Sequence, residues 1–194
     1  MIQDDGTQDR FDLNEFKETS ANTIVQDAWT NFYNGIFRCN IILDNIVNAD
    51  FDLKNQIEAE ARFIRALTYF NVVRFWGDAP LVLNQLGPEE ALTVKRSPVS
   101  EVYEAIEADL IFAAANLPPS QSNGKATSGA AKALLGKVYL TEKKYTEAVT
   151  TLNEVVGKYS LLDDAKDVFS TTNKNNNGII FYIRFDIFYY IIFF

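Results

Sequence analysis

The stretch Glu58-Ala-Glu-Ala-Arg-Phe-Ile-Arg-Ala-Leu-Thr-Tyr-Phe-Asn-Val-Val-Arg-Phe-Trp76 runs unbroken into Gly77-Asp-Ala-Pro80. Its apolar side chains recur at helical spacing, with Ala61, Ile64, Leu67, either Thr68 or Phe70, then Val73 and Trp76 on one face. Gly77 offers the left-handed conformation that ends such a helix, and Pro80 prevents it from resuming. The spacing predicts a buried helix that stops abruptly and hands the chain to an extended piece, Leu81-Val-Leu83.

The same period marks the neighbours. Residues 1 to about 20 are polar and read as an irregular entry. A second stripe follows in Ile24, Ala28, Phe32, Ile36, Cys39, Leu43 and Ile46. Beyond the Trp76 helix, 84–96 reads as irregular, with Gly87-Pro88 as a turn. Ser97-Pro98 then restarts a helix, serine at the cap and proline in the first turn, with the stripe Val102, Ile106, Leu110, Ala113, Ala114 and Leu117. Pro118-Pro119 ends it, and two more helices are predicted over 128–142 and 145–156, the last closed by Gly157. The tail from Ile179 is rich in β-branched and aromatic residues and reads as strand.

Within the last two helices, Leu135-Gly136-x-x-Tyr139 followed by Ala148-x-x-x-Leu152 fits the tetratricopeptide template. Gly136 and Ala148 are small where two antiparallel helices approach, while Tyr139, Tyr145 and Leu152 fill the surrounding space. Lys132 and Ser160 stand where the template wants tryptophan and proline. The Trp76 helix and the 98–117 helix form a second candidate unit with a long insertion between its arms. Stacked units bury a continuous core that one hairpin could not.

Several chemistries lose their support. A net charge of −8 opposes nucleic-acid binding, which needs a basic footprint. There is no histidine, hence neither the commonest general base nor the commonest metal ligand. The single cysteine, Cys39, has no internal disulfide partner and reads as a buried structural thiol. Glu89-Glu90 and Asp163-Asp164 are adjacent acids in loops, not carboxylates facing each other across a substrate. Asn123-Gly-Lys-Ala-Thr127 lacks the second glycine of a phosphate-binding loop. Arg62, Arg65 and Arg74, sharing a helix with Glu58 and Glu60, read as a solvated face with local ion pairs rather than an anion site. No catalytic constellation, metal or cofactor is indicated. Trp29, Tyr33 and Phe11 could form a stacking platform for sugar, although core packing is the default for any one ring.

Glu60-Ala-Arg-Phe-Ile-Arg-Ala-Leu-Thr-Tyr-Phe followed by Trp76-Gly-Asp-Ala-Pro-Leu81 resembles the signature of the SusD/RagB-like outer-membrane nutrient-binding lipoproteins. Further blocks resemble the family in the same order: 96–103, 106–110, 124–127, 130–140, 145–148, 159–161 and 177–181. Upstream, Trp29, Tyr33, Ile36 and Asn40 have the spacing of its first long helix. The resemblance covers about residues 22 to 185. Its structural motif falls on Arg62, Arg65, Gly77, Asp78, Pro80, Gly136, Tyr139 and Ala148.

The resemblance implies an all-α fold of tetratricopeptide-like hairpins, with irregular loops and a short β-like C-terminal segment. It implies a surface-exposed Bacteroidetes outer-membrane protein that binds glycan or another nutrient without catalysis or cofactor. The cargo passes to a TonB-dependent, SusC-like transporter. Asp5, Arg10 and Trp29 are the candidate ligand contacts, since the family often uses loops ahead of and between helices. The alternative is a generic tetratricopeptide scaffold that binds a protein in a concave groove. Family members carry a signal and a lipid-modified cysteine; Met1-Ile-Gln-Asp-Asp-Gly has neither a basic start nor an apolar run, and Cys39 falls inside a predicted helix, so both are expected to be missing from this sequence. Membrane attachment would require that missing anchor. Members are also longer, so the expectation is a fragment: an incomplete helical region over 1–185 and an aberrant or truncated apolar tail over 186–194.

Overall fold

The computed structural model describes residues 8–121, 124–168 and 176–183. Its elements in chain order are α1 (Gln8–Asn14), α2 (Thr23–Ile46), α3 (Lys54–Trp76), β1 (Ala79–Pro80), α4 (Pro88–Ala91), β2 (Arg96–Ser97), α5 (Val99–Asn116), α6 (Ser128–Thr141), α7 (Tyr145–Asn153) and α8 (Ala165–Val168). The long helices stack in sequence order: α3 lies between α2 and α5, α5 carries α6, and α6 carries α7. This is the expected all-α arrangement of helical hairpins sharing one core.

The stripe proposed for α3 is corrected in part. Ala61, Phe70 and Val73 are buried as expected, but Ile64 is 40% exposed, while Ala59, Phe63, Ala66, Tyr69 and Val72 are buried as well. With helices on two sides, α3 hides an arc of roughly 200°, taking 100° per residue, and the outward face is the one holding Ile64 and Phe75. Ala59 and Ala66, both fully buried, allow the close approach. The stripes of α2 and α5 fare better: Ile36, Cys39, Leu43 and Ile46 on one, and Val102, Ile106, Leu110, Ala113 and Leu117 on or beside the other, are buried.

Two stretches expected to be irregular contain helices. The polar entry forms α1, tied to the next helix by Asp9, whose carboxylate accepts from Thr23 N at 3.0 Å and from the Thr23 hydroxyl. Those bonds hold the Asp9 carboxyl below its ordinary range. Asn22 caps α2, its Oδ1 accepting from Ile24 N at 3.1 Å. Pro88 opens the single turn of α4, where Glu90 Oε2 accepts from Gly87 N at 2.9 Å.

At the end of α3, Gly77 has φ 69° as expected, but its ψ of −127° lies outside the left-handed helical region. Only glycine adopts that combination without strain. The chain then pairs β1 antiparallel to β2, Ala79 opposite Ser97 and Pro80 opposite Arg96. Ser97 is therefore a strand residue, not the α5 cap. Asp78 takes that role from across the ribbon, its Oδ1 accepting from Val99 N at 3.0 Å.

Gly136 and Ala148 are both buried on α6 and α7, which pack against each other as the repeat template implies. A Cβ on Gly136 would lie 2.5 Å from Leu152 Cγ and Cδ2. Tyr145 does not fill this crossing; it is 59% exposed on the outer side of α7. The described part of the C-terminal segment, 176–183, pairs with no strand, and Phe181 stands edge-on to Phe63 at 5.0 Å between centroids. The tail 186–194 lies outside the described residues.

Candidate functional site

A buried polar node lies between α2, α3 and α5. Arg65 donates from Nε to Asp109 Oδ2 at 2.7 Å and from Nη2 to Oδ1 at 2.9 Å, a two-pronged pair. Its Nη1 donates to Asn40 Oδ1 and to the Leu83 carbonyl, both at 2.8 Å. Asn40, fully buried, donates onward to the Val82 carbonyl at 2.9 Å. Tyr69 closes the set, accepting from Val82 N at 2.7 Å and donating to Val82 O at 2.9 Å, while the Tyr33 hydroxyl donates to Pro80 O at 2.9 Å. The backbone groups Pro80 O, Val82 N and O, Leu83 O and Asn84 O are thereby satisfied by side chains of α2 and α3.

The solvated-face reading of the arginines is overturned for Arg65, which is 5% exposed. It suits Arg74, which is exposed and bonds Phe70 O within its own helix at 3.0 Å. Arg62 is intermediate, reaching Glu58 at 2.8 Å and Asp109 at 3.1 Å. Asp109 itself was missed. Its signal was register: with Val102, Ile106 and Ala113 it completes an i, i+4, i+7, i+11 set, so an acid was being placed on the buried face and required a cation there.

The node is structural rather than reactive. Burial pushes the Tyr69 hydroxyl up to about 12 and the Cys39 thiol up to about 11, and it also raises Tyr33. None of the three ionises near neutral pH. Cys39 is the buried thiol that was expected.

Trp29 is half-buried near the start of α2, inside an aromatic cluster. Its ring centroid lies 4.7 Å from Tyr33 and 5.2 Å, edge-on, from Trp76. Phe32 and Phe75 extend the cluster outward, Phe75 being 70% exposed. Both tryptophans of the chain thus share one site. Arg10 is exposed on α1, which packs against α2, and Asp5 lies outside the described residues. Phe11 is 44% exposed on the same short helix and stands in none of these ring pairs. Trp29 and Arg10 are therefore borne by adjoining elements, with α1 docked through Asp9 and Asn22.

Two features had no signal in local sequence. At the α6–α7 turn, Glu142 Oε2 is buried and finds no donor among the described residues. Lys144 reaches Glu142 Oε1 at 3.3 Å and also pairs with Glu107 on α5. Burial, with the neighbouring Glu107 carboxyl, raises Glu142 to about 7. The second is a cavity of about 430 Å³ between the start of α6, the chain after α7 and residues 176–182.

The chain has relatives along nearly all of this architecture. A SusD-like family profile, described as "Starch-binding associating with outer membrane", matches residues 5–140. SusD-like protein P25 of Formosa agariphila is 32% identical over 169 residues, covering 83% of this chain and 32% of that protein. A SusD superfamily protein of Bacteroides vulgatus superposes with a TM-score of 0.86 at 29% identity, covering 92% of this chain and 40% of its own. A structure described as a laminarin binding SusD-like protein superposes at 0.72 with 39% identity, covering 77% of this chain and 35% of its own. The chain spans about a third of the length of the curated relatives it matches.

Proposed function

This chain belongs to the SusD-like family of starch-binding, outer-membrane-associated proteins, and from that premise we propose that it forms part of a non-catalytic glycan receptor. The observation that carries the reading is the superposition of its helical stack on a laminarin-binding relative at 39% identity. In this reading a sugar ring lies against the aromatic cluster at Trp29, because apolar ring faces stack while sugar hydroxyls take polar neighbours. Arg10 and Asp5 are the polar contacts proposed beside it. The buried Arg65–Asp109 node holds the 79–84 segment, so the cluster is carried on a rigid frame.

The proposed cellular setting follows the family: a surface-exposed lipoprotein of the outer membrane that hands its glycan to a TonB-dependent, SusC-like transporter. Among the described residues, no helix is long and apolar enough to cross a membrane.

Isothermal titration calorimetry of the complete gene product against a glycan panel, with laminarin and starch oligosaccharides included, tests the reading. Binding that weakens about tenfold in Trp29→Ala supports it, the size expected of a truncated aromatic anchor. Silence across the panel refutes it.

A further inference from the structure

The 430 Å³ cavity takes no part in the site proposed above. It opens among three segments that are held in place independently. The Thr127 hydroxyl caps α6, accepting from Ala130 N at 3.1 Å. Ser160 N donates to Asn177 O at 3.0 Å, joining the chain after α7 to the last segment. Phe181 is anchored on Phe63 of the core. Gly129 has no side chain because Tyr159 occupies that space: a Cβ there would lie 2.2 Å from the Tyr159 hydroxyl. The ring thereby lies along the cavity wall.

The lining mixes two kinds of surface. Aromatic rings come from Tyr159, Phe181 and Tyr182, and hydroxyl or amide groups from Ser120, Ser128 and Asn177. That combination, in a volume typical of small-ligand sites, suits a pyranose, with apolar ring faces and a polar edge. Charge narrows the class further. Among the described residues, Lys125 and Lys158 line the cavity and no aspartate or glutamate does, in a chain whose net charge is −8. Among the described residues, Lys125 has Glu60 in a loose contact at 3.9 Å. Glu154, on the Lys158 side, is engaged by Lys132.

We infer that this cavity is a second sugar subsite, selective for a pyranose bearing a negative group, with Lys125 and Lys158 as its counter-ions. The inference rests on the glycan-receptor reading. A uronate carboxylate and a sulfate ester share the required chemistry, and the probes below separate them.

The test is calorimetry of the complete gene product with trigalacturonate, a sulfated carrageenan tetrasaccharide and neutral laminarihexaose, repeated on Lys125→Gln/Lys158→Gln. Both lysines are exposed, so the variant retains the fold, checked by circular dichroism. At least one anionic probe binds, weakens with added salt, and loses about tenfold or more in the variant, as expected for lost charge-assisted hydrogen bonds. Which of the two binds identifies the charged group. Laminarihexaose is unaffected by the variant. Anionic binding unchanged in the variant overturns the inference, and so does anionic silence alongside neutral binding. Silence from all three, and from the wider panel, overturns the glycan reading with it.

Discussion

Replacing Asp109 by alanine leaves the Arg65 guanidinium 5% exposed, with only the Asn40 and Leu83 oxygens as acceptors and no counter-charge in direct contact. Removing one partner of a buried pair costs about 3–5 kcal/mol, because the surviving charge is stranded. For a chain of 150–250 residues this lowers Tm by about 6–20 °C, at roughly 2–4 °C per kcal/mol. Arg65→Met is milder, since Asp109 keeps Arg62 at 3.1 Å and part of that carboxylate remains exposed to it. The double variant Arg65→Met/Asp109→Ala removes both charges and costs less than the sum of the singles, with a coupling of about 1–3 kcal/mol. Urea unfolding followed by circular dichroism gives all four corners of the cycle. An Asp109→Ala cost below 1 kcal/mol, or strict additivity in the double, would refute the stranded-charge account.

Gly136→Ala drives a methyl into Leu152 and destabilises by about 1–3 kcal/mol, as overpacking does; adding Leu152→Ala relieves the clash, so the double is more stable than additivity allows in thermal melts. Asp78→Ala removes the α5 cap and costs about 0.5–2 kcal/mol by urea titration, with Asp78→Asn recovering most of it. Glu142, raised in the fold from its ordinary 4.5 to about 7, binds its proton more tightly folded than unfolded. Its contribution is therefore fully present below pH 4.5 and is lost as pH rises through 7. Glu142→Gln flattens that decline in melts taken across the window, and an unchanged slope would refute the assignment. Because Trp29 and Trp76 are 5.2 Å apart and are the only tryptophans of these 194 residues, glycan binding to this chain at the cluster changes its intrinsic fluorescence, and Trp76→Phe leaves a signal from Trp29 alone.

The chain's own periodicity determined where the long helices α2, α3, α5, α6 and α7 lie and, for α2 and α5, which faces are buried, because each of those two has one continuous stripe that only a packed partner can hide. The small residues at 136 and 148 likewise announced a close helix crossing. Tertiary structure decided what periodicity could not encode. The face of α3 was misjudged because two neighbours bury it, so residues off the main stripe, Arg65 and Tyr69 among them, became interior. The α5 cap came from Asp78, twenty-one residues before the amide it accepts from, because a two-residue ribbon folds the loop back. The raised Glu142 and the lysine-lined cavity exist only where α5, α6 and the later chain converge. Local pattern fixes the repeating hydrogen bonds and stripes of each helix. Desolvation, charge pairing and cavity shape depend on which distant groups are brought within a few ångströms, and only packing sets that.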